Sequence, residues 1–258
     1  MRGVDPLAVY ALWKRDLLRF VRARSRLVGT LVTPLFLVAF LGVGFEGVRF
    51  ASVPEEVSYV EYLVPGVLGF VTLFSASFSG LAVLSDREVG FLKEILVAPV
   101  PRTSVVLGRI AGGATTGLLQ AGLVLGGTLL VGFRPASAVG LALAAVFLVG
   151  LSTAFIGFGL ALAAGFSDTQ GYSLVVNFVL FPLAFLSGAF YPLSNLPPAV
   201  RWVGYLNPLT YGIDGLRGAL VGRGAATYPL WLDLGAVALA GTVTVLVGAW
   251  LFDRVEAA

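Results

Sequence analysis

The sequence contains no cysteine and no histidine, and only 12% of its 258 residues are charged. These absences exclude disulfide bonds, thiolate chemistry and histidine metal sites, so catalysis would have to depend on carboxylates, hydroxyls or lysine. Hydrophobic residues make up 58% of the chain, and the mean hydropathy is +0.94. This apolar share lies far above that of a water-soluble domain and indicates a membrane protein.

Long uncharged windows are the main organising feature of the chain. A helix rises 1.5 Å per residue and the hydrocarbon core is about 30 Å thick, so roughly 20 apolar residues can cross it. Six windows without Asp, Glu, Lys or Arg approach or exceed this length. We therefore predict an all-α protein with six spans in one transmembrane domain, 27–258, after a cytoplasmic N-terminal segment, 1–26. The predicted spans cover about 27–45, 62–84, 107–131, 138–164, 171–190 and 229–252.

Basic residues are distributed unevenly between the two sides that six spans would define. Twelve of the 17 Lys and Arg residues lie in segments 1–26 and 85–109 and in the C-terminal tail, whereas five lie in the opposite segments. By the positive-inside rule, this asymmetry predicts that both termini are cytoplasmic. The first apolar run is long enough to span and no clear cleavage site follows it, so we expect an integral protein of the cytoplasmic (inner) membrane that keeps its N-terminus.

The N-terminal segment predicts a basic amphipathic helix. Apolar residues recur at helical spacing between Asp5 and Arg24, and Arg15, Arg19 and Arg22 repeat on another face. Such a helix can lie in the membrane interface with its arginines against anionic lipid. Its basic face can also meet a cytoplasmic protein, and this segment alone does not separate the two interpretations.

The stretch SDREVGFLKEILVAPVPR, residues 85–102, is charged and amphipathic and lies between the second and third predicted spans. Ser85 and Asp86 are candidate N-caps, and two prolines would end the helix after Ala98. A helix bound to an anionic bilayer would carry more basic residues than this one. A short helix with apolar residues and acidic ends is better suited to a groove in another protein.

Two stretches carry a resemblance to a known family. LSDREVGFLKEILVAPVPRTSVVLGR (84–109) and FLSGAFYPLSNLPPAVRWVGYLNPLTYGIDGLRGAL (185–220) are similar to the membrane permease of the type 2 ATP-binding-cassette transporter family. In that family the first stretch forms a cytoplasmic coupling helix, and the second is the external segment before the last span. The resemblance covers nearly the whole chain and is strongest to small half-transporter exporters of drugs, lipids or polysaccharides.

The resemblance implies partners. This chain would pair in the lipid membrane with a second copy of itself or with a related permease. Each permease of the pair would dock on a separate cytoplasmic ATPase subunit that carries ATP and magnesium. The sequence has no G-x-x-x-x-G-K-[ST] phosphate loop, so we expect a transport subunit that is not an enzyme and holds no cofactor or metal, and no nucleic acid is expected. The residues implied in ATPase coupling are Asp86, Arg87, Glu88, Phe91, Glu94, Leu96, Arg15, Arg19 and Arg22.

Prolines divide the external segment into two predicted short helices. Asn195 can cap a helix that begins at Pro197 and Pro198, and Asn207 can cap a second helix with Pro208 in its first turn. Both helices are apolar but too short to span, so we expect a re-entrant pair, with an interfacial hairpin as the alternative. The resemblance makes this pair an external lid, to which we assign the aromatic residues Trp202, Tyr205 and Tyr211.

Ionisable groups are missing from the centres of the predicted spans. Arg109 and Asp233 lie at span ends, where Arg109 can extend towards water. The lack of an intramembrane ionisable relay argues against an ion-coupled carrier, and the scarcity of polar catalytic groups argues against an intramembrane hydrolase.

By resemblance, spans two and five line the transport pathway. The residues that this selects are Phe74, Phe78, Asn177 and Phe181.

We therefore predict the permease subunit of an ATP-driven exporter, which moves an amphipathic or hydrophobic, drug-like or lipid-like substrate by alternating access. Export rather than import is implied by the resemblance alone. Two alternatives stay open: an export channel for polysaccharide or lipid-linked glycan within the same family, and a stand-alone ion-coupled secondary transporter.

Overall fold

The computed structural model describes residues 4–45, 47–88, 101–222 and 224–255. Within these ranges the regular secondary structure is helical and no strand occurs, which confirms the predicted all-α class. The α-helices of these ranges are α1 (Pro6–Arg22), α2 (Arg24–Gly44), α3 (Tyr59–Ser77), α4 (Ser79–Glu88), α5 (Arg102–Thr128), α6 (Ala138–Ala163), α7 (Thr169–Phe185), α8 (Pro198–Leu206), α9 (Pro208–Leu220) and α10 (Leu230–Val255).

Four helical stretches of the described residues are long and apolar enough to cross a membrane. They cover Tyr59–Glu88, which joins α3 and α4, and Thr103–Val131, Ala138–Ala163 and Leu230–Leu251. These correspond to the predicted spans two, three, four and six. Where spans one and five were predicted, the shorter apolar stretches Leu31–Gly44 and Thr169–Phe185 lie in α2 and α7.

Helix α6 forms the centre of the bundle. It packs against α3, α5, α9 and α10, and Phe147 and Leu151 are fully buried along it. Two glycines of α9 face these side chains: a Cβ atom at Gly212 would collide with Leu151, and one at Gly215 would collide with the Phe147 ring. Since helices in a bilayer associate by close van der Waals packing, these glycines let α9 approach the central helix.

The second span is interrupted at Phe78, between α3 and α4. Tyr172 of α7 is fully buried beside the interruption. Its hydroxyl donates to the Ser77 carbonyl oxygen at 2.6 Å and lies 3.1 Å from the Gly159 carbonyl oxygen of α6. No water is available in hydrocarbon to satisfy such carbonyls, so the tyrosine hydroxyl stabilises the irregular backbone and joins three helices.

The N-caps predicted at Ser85 and Asp86 are wrong. Helix α4 begins at Ser79 and continues through Glu88, so both residues lie within its last turns. The physical reason is that the Asp86 carboxylate accepts hydrogen bonds from arginines that are distant in the sequence, which stabilises it within α4. The rest of the predicted coupling helix, from residue 89 to 98, lies outside the described residues.

The structure agrees only in part with the helix boundaries predicted for the external segment. The Asn195 cap is wrong: Asn195 ends a short 3₁₀ turn, and α8 begins after Pro197 with no side-chain cap. The Asn207 cap is present, since its Oδ1 accepts from the Leu209 N–H at 3.0 Å and Pro208 opens α9. Helix α7 ends at Phe185, before the predicted boundary at 190, because the chain turns at Gly188 with a φ of 79°.

Candidate functional site

Two groups of buried polar residues lie at opposite ends of the second span. Tyr62 and Asp86 are separated by 24 residues of α3 and α4, which corresponds to about 36 Å of helix and exceeds the hydrocarbon thickness of about 30 Å. We call these ends the α1 end, which contains Asp86, and the α9 end, which contains Tyr62.

The α1 end contains a cluster of five charged side chains, which we call the Asp86 cluster: Arg15, Asp16, Arg19, Asp86 and Arg109. The Asp86 carboxylate is buried and accepts from Arg109 Nη2 at 2.8 Å, Arg15 Nη2 at 3.3 Å and Arg19 Nη1 at 3.5 Å. Arg15 also pairs with Asp16 at 3.1 Å. Because the three arginines come from α1 and α5 and the aspartate from α4, one carboxylate ties three helices together.

Helix α1 is positioned for this contact by close packing along α5. A Cβ atom at Gly108 of α5 would lie 2.8 Å from Leu12 Cβ, so only glycine allows the observed approach. From the next residue of α1, the Trp13 Nε1–H donates to Thr115 Oγ1 of α5 at 3.0 Å. These contacts fix the rotation of α1 so that its basic face is directed towards α4.

A second connection ties the end of α4 to α7. Glu88 Oε1 accepts from the backbone N–H of Thr169 at 2.9 Å. Thr169 is the first residue of α7, and Asp168 caps that helix by accepting from the Gly171 N–H at 2.6 Å. The chain therefore enters the segment after residue 88 from a helix end that is connected to α1, α5 and α7.

The predicted coupling residues differ in their surroundings. Asp86, Arg15 and Arg19 come together in the Asp86 cluster. The side chains of Arg87 and Arg22 are exposed on the surface of the bundle. Phe91, Glu94 and Leu96 lie outside the described residues.

The prediction that Arg109 extends towards water is wrong. Its side chain is only 4% exposed, and it forms the shortest of the three Asp86 contacts. Sequence reasoning missed this residue as a site candidate. The available signal was an arginine two turns into a 27-residue helix whose other charged residue is Arg102 at its start, together with an aspartate near the end of the preceding span.

Three of the four predicted pathway residues lie close together. The Phe74 ring lies 5.2 Å from the Phe181 ring, measured between centroids, and 6.4 Å from the Phe78 ring. Aromatic contacts continue from Phe74 through three more rings and return to Phe181, which gives a closed circuit of rings from α3, α7 and the turn after α7. The additional rings are Phe70, Phe190 and Phe185. Asn177 bonds within its own helix instead, since its Nδ2 donates to the Ser173 carbonyl at 2.7 Å.

The predicted lid residues lie on α8 and α9. Trp202 and Tyr205 of α8 are exposed, and Trp202 Nε1 donates within its own helix to the Ala199 carbonyl. Tyr211 of α9 donates to the Tyr205 carbonyl at 2.8 Å, which joins the two helices. Helix α9 is buried against α3, α6 and α10, so the second half of this segment is part of the bundle.

Arg217 of α9 forms the centre of a second group, which we call the Arg217 cluster, with Tyr62, Gly188 and Ala189. Its side chain is buried and donates to the Tyr62 and Ala189 carbonyls at 3.3 Å and also to the Gly188 carbonyl. The guanidinium carbon lies 3.7 Å from the centroid of the Tyr62 ring, a cation–π contact. Sequence reasoning counted Arg217 only as a basic residue of an external segment, because a backbone-bound arginine has no local sequence signature.

Two aspartates lie close to this second cluster. Asp214 accepts from the backbone N–H groups of Thr227 and Tyr228 at 2.8 to 2.9 Å and so fastens the connection between α9 and α10. Burial, together with the nearby Tyr211, raises the pKa of Tyr228 to about 12, so its hydroxyl stays protonated. Asp233, in the first turn of α10, is fully buried, and neither of its carboxyl oxygens finds a hydrogen-bond partner among the described residues.

Comparison with known proteins decides the family. The sequence model described as "ABC-2 type transporter" matches residues 8–221, from α1 through α9. The chain belongs to the ABC-2 type transporter family. The resemblance derived from the two sequence stretches is thereby confirmed, and the chain is an integral membrane permease by family and by its apolar helices.

Three relatives each match more than four fifths of this chain. It is 30% identical over 220 residues to the inner membrane transport permease YadH of Escherichia coli strain K12, with 84% of each chain covered. It is 29% identical over 213 residues to the putative transport permease ycf38 of Porphyra purpurea, covering 81% of this chain and 72% of the relative. It is 27% identical over 248 residues to nodulation protein J of Rhizobium leguminosarum bv. viciae, covering 95% and 93%.

Both buried clusters fall within the ABC-2 match. Asp86, Arg109 and the arginines of α1 lie inside residues 8–221, and so does Arg217, whereas α10 lies beyond the matched range. The two clusters are therefore features of the part of the chain that carries the family relationship.

Proposed function

We propose that this chain is the permease subunit of an ATP-driven exporter in the inner membrane, with both termini cytoplasmic, and that it docks on a separate ATP-binding-cassette ATPase. The partner ATPase would supply ATP, magnesium and hydrolysis. Membership of the ABC-2 family supports the ATPase partnership, and the relative named as an inner membrane transport permease supports the location.

The observation that carries this proposal is the Asp86 cluster. It joins α1, α4 and α5 at the point where the chain enters residues 89–100, the segment that the resemblance assigns to ATPase contact. A push on that segment would reach Asp86 within three residues and would pass through its arginines to α1 and α5. The Glu88 contact would pass the same movement to α7.

The aromatic circuit supplies the second half of the proposed mechanism. Phe74 and Phe78 lie on the span that ends in the Asp86 cluster, and Phe181 lies on α7, which Glu88 contacts. The Phe181 side chain is 46% exposed, and the neighbouring Phe178 is 81% exposed. We propose that two copies of the chain face each other across these rings and that an amphipathic or hydrophobic substrate passes between them, as in alternating access.

The test is co-purification of the tagged chain from its host membranes in mild detergent with MgATP, followed by mass spectrometry of the bound proteins. We expect an ATPase with a phosphate loop at roughly equal amounts. Charge reversal at exposed Arg87, Arg87→Glu, should reduce its recovery, whereas Arg134→Glu, an exposed arginine of the α5–α6 connection, should not.

Two outcomes would contradict the proposal. If Arg87→Glu retained the ATPase and its stimulation by substrate as fully as Arg134→Glu does, residues near 87 would not mediate docking. If the chain purified without an ATPase and moved solute in vesicles without ATP, the ion-coupled alternative would replace it, and Asp233 would be the first residue to test.

A further inference from the structure

A cavity of about 340 Å³ lies beside the Asp86 cluster, between α1, the α3–α4 junction and α5. Four residues of α5 line it at successive turns: Arg109, Gly113, Thr116 and Gln120. Arg109 and Gln120 are 11 residues apart, or about 16 Å along the helix. The wall of the cavity therefore changes along α5 from a buried cation to neutral polar groups.

The rest of the lining is also amphipathic. Asp16 and Arg19 of α1 contribute further charge near Arg109, and Phe20, Phe74 and Phe78 contribute aromatic surface. A cavity with a charged end and aromatic walls matches a molecule that has a polar headgroup and an apolar chain. Its volume is at the lower end of the roughly 300–1,000 Å³ of ligand pockets, so it suits a headgroup and the first part of a chain.

The net charge beside the Arg109 end of the cavity favours an anionic ligand. The Asp86 cluster contains three arginines and two aspartates, so one positive charge is in excess. Arg109 is 4% exposed, and its Nε–H finds no acceptor among the described residues. The Ser79 hydroxyl, which also lines the cavity, is buried and has no hydrogen-bond partner in the same part of the chain. Buried polar groups of this kind normally have partners, so a small rotation of either side chain towards the cavity would allow it to donate to an anionic ligand.

We propose that this cavity binds an anionic amphiphile, with a phosphate or carboxylate headgroup at Arg19 and Arg109 and its chain along Phe20, Phe74 and Phe78. Arg19 is half exposed and can turn towards a ligand while Asp86 keeps its contacts with Arg109 and Arg15. A zwitterionic headgroup would bind less well, because its cation would lie beside two guanidinium groups. This proposal does not require ATPase docking. The amphiphile can be a phospholipid of the bilayer or the exported molecule itself.

The test uses the purified full chain and native mass spectrometry with phosphatidylglycerol and phosphatidylcholine of identical acyl chains. We expect phosphatidylglycerol to be retained about tenfold more tightly, which corresponds to one charge-assisted contact. Arg19→Gln should remove most of this preference, and Ser79→Leu, which fills the cavity, should lower retention without a change of charge. The matched control is Arg87→Gln, which removes the same charge from an exposed site on α4 that does not line the cavity.

Equal retention of the two lipids would overturn the proposal, and so would an effect of Arg19→Gln no larger than that of Arg87→Gln. If Ser79→Leu does not fold, Thr116→Leu provides the second cavity-filling variant. A further arm, which rests on the proposed function, distinguishes the sources of the ligand. With the co-purified ATPase and MgATP in vesicles, release of labelled phosphatidylglycerol to the opposite leaflet identifies a transported molecule, and continued retention identifies a resident lipid.

Discussion

The two ends of the bundle each bury an arginine, but they bind it in different ways. At the α1 end, Arg109 shares the carboxylate of Asp86 with two arginines of α1. At the α9 end, Arg217 is bound by the backbone carbonyls of Tyr62, Gly188 and Ala189 and by a tyrosine ring. One site is made of side chains, and the other is made mainly of backbone.

This difference has a mechanical consequence. A carboxylate that is shared by three arginines can lose one partner and keep the others, so α1 can shift without leaving a buried charge unpaired. The carbonyls around Arg217 are fixed by α3 and by the turn after α7, and the arginine cannot move without breaking several bonds at once. We therefore expect the α9 end to act as a rigid anchor and the α1 end as an adjustable joint, which agrees with the proposed ATPase contact at residues 89–100.

Replacing the arginine of the rigid anchor should have the largest effect. Arg217→Met keeps much of the side-chain volume but removes the hydrogen bonds to three backbone carbonyls and the contact with the Tyr62 ring. The Gly188 carbonyl keeps the Tyr62 hydroxyl as a donor, at 3.0 Å. We expect a loss of roughly 4 to 6 kcal/mol, since a hydrogen bond to a charged group contributes about 1.5–3 kcal/mol and a desolvated cation–π contact about 2 kcal/mol. The measurement is the yield of monodisperse protein and its unfolding temperature in detergent.

Arg201→Met is the matched control. Arg201 also donates to backbone carbonyls, those of Ser194 and Leu196, but in a more exposed position on α8. Water can replace its bonds, so the unfolding temperature should change little. If the two variants lose the same stability, burial of Arg217 is not what makes the α9 end rigid.

Removing the Asp86 carboxylate should lower the stability of the protein less than Arg217→Met does. It should have a larger effect on the coupling between the ATPase and the permease. Asp86→Asn leaves Arg109 buried without a carboxylate, which costs about 3 kcal/mol, the lower end for a broken buried pair. The lower end applies because Arg15 and Arg19 are partly exposed, with side chains 20% and 56% accessible, so water solvates them. ATPase stimulation by substrate, measured in vesicles, should fall more than the amount of folded protein.

A double variant separates the two roles of the joint. Asp86→Asn combined with Arg109→Gln removes both members of the buried pair and should recover much of the lost stability, because no unpaired buried charge remains. Coupling should stay impaired, since α1 is no longer held to α4 by charge. Recovery of ATPase stimulation together with stability would show that the Asp86 cluster is only structural.

Local signals predicted the parts of this fold that depend on neighbouring residues. The basic amphipathic segment lies in α1, which begins at Pro6 after the Asp5 cap, and Asn207 with Pro208 begins α9. In both cases a cap and a proline lie within three residues of each other, so the backbone conformation is decided by residues that can be seen together in the sequence.

The Asp86 cluster could not be predicted in this way. Arg109 is 23 residues from Asp86 and Arg15 is 71 residues from it, so their association depends on how α1, α4 and α5 pack. The same aspartate looked like an N-cap because Ser-Asp before an amphipathic stretch is typical of helix starts. Tertiary ion pairing competed with that local preference, and the helix continued. Arg217 was missed for a related reason, since its partners are carbonyls and every residue has one.

The helix caps at the two ends give the smallest effect and extend the comparison to groups outside the two arginine clusters. Asn207 is buried, and besides capping α9 it donates to the Leu183 carbonyl of α7 at 2.7 Å, so it also joins two helices. Asp5 caps α1 through an exposed bond to the Leu7 N–H at 2.9 Å. We expect Asn207→Ala to cost about 2 kcal/mol and Asp5→Ala about 0.5–1 kcal/mol, because only the first leaves a buried carbonyl without its donor. Thermal unfolding of both variants under one detergent condition measures this difference. Equal costs would mean that water reaches the α9 end as readily as the α1 end, and the rigidity assigned to the Arg217 cluster would then lose its physical basis.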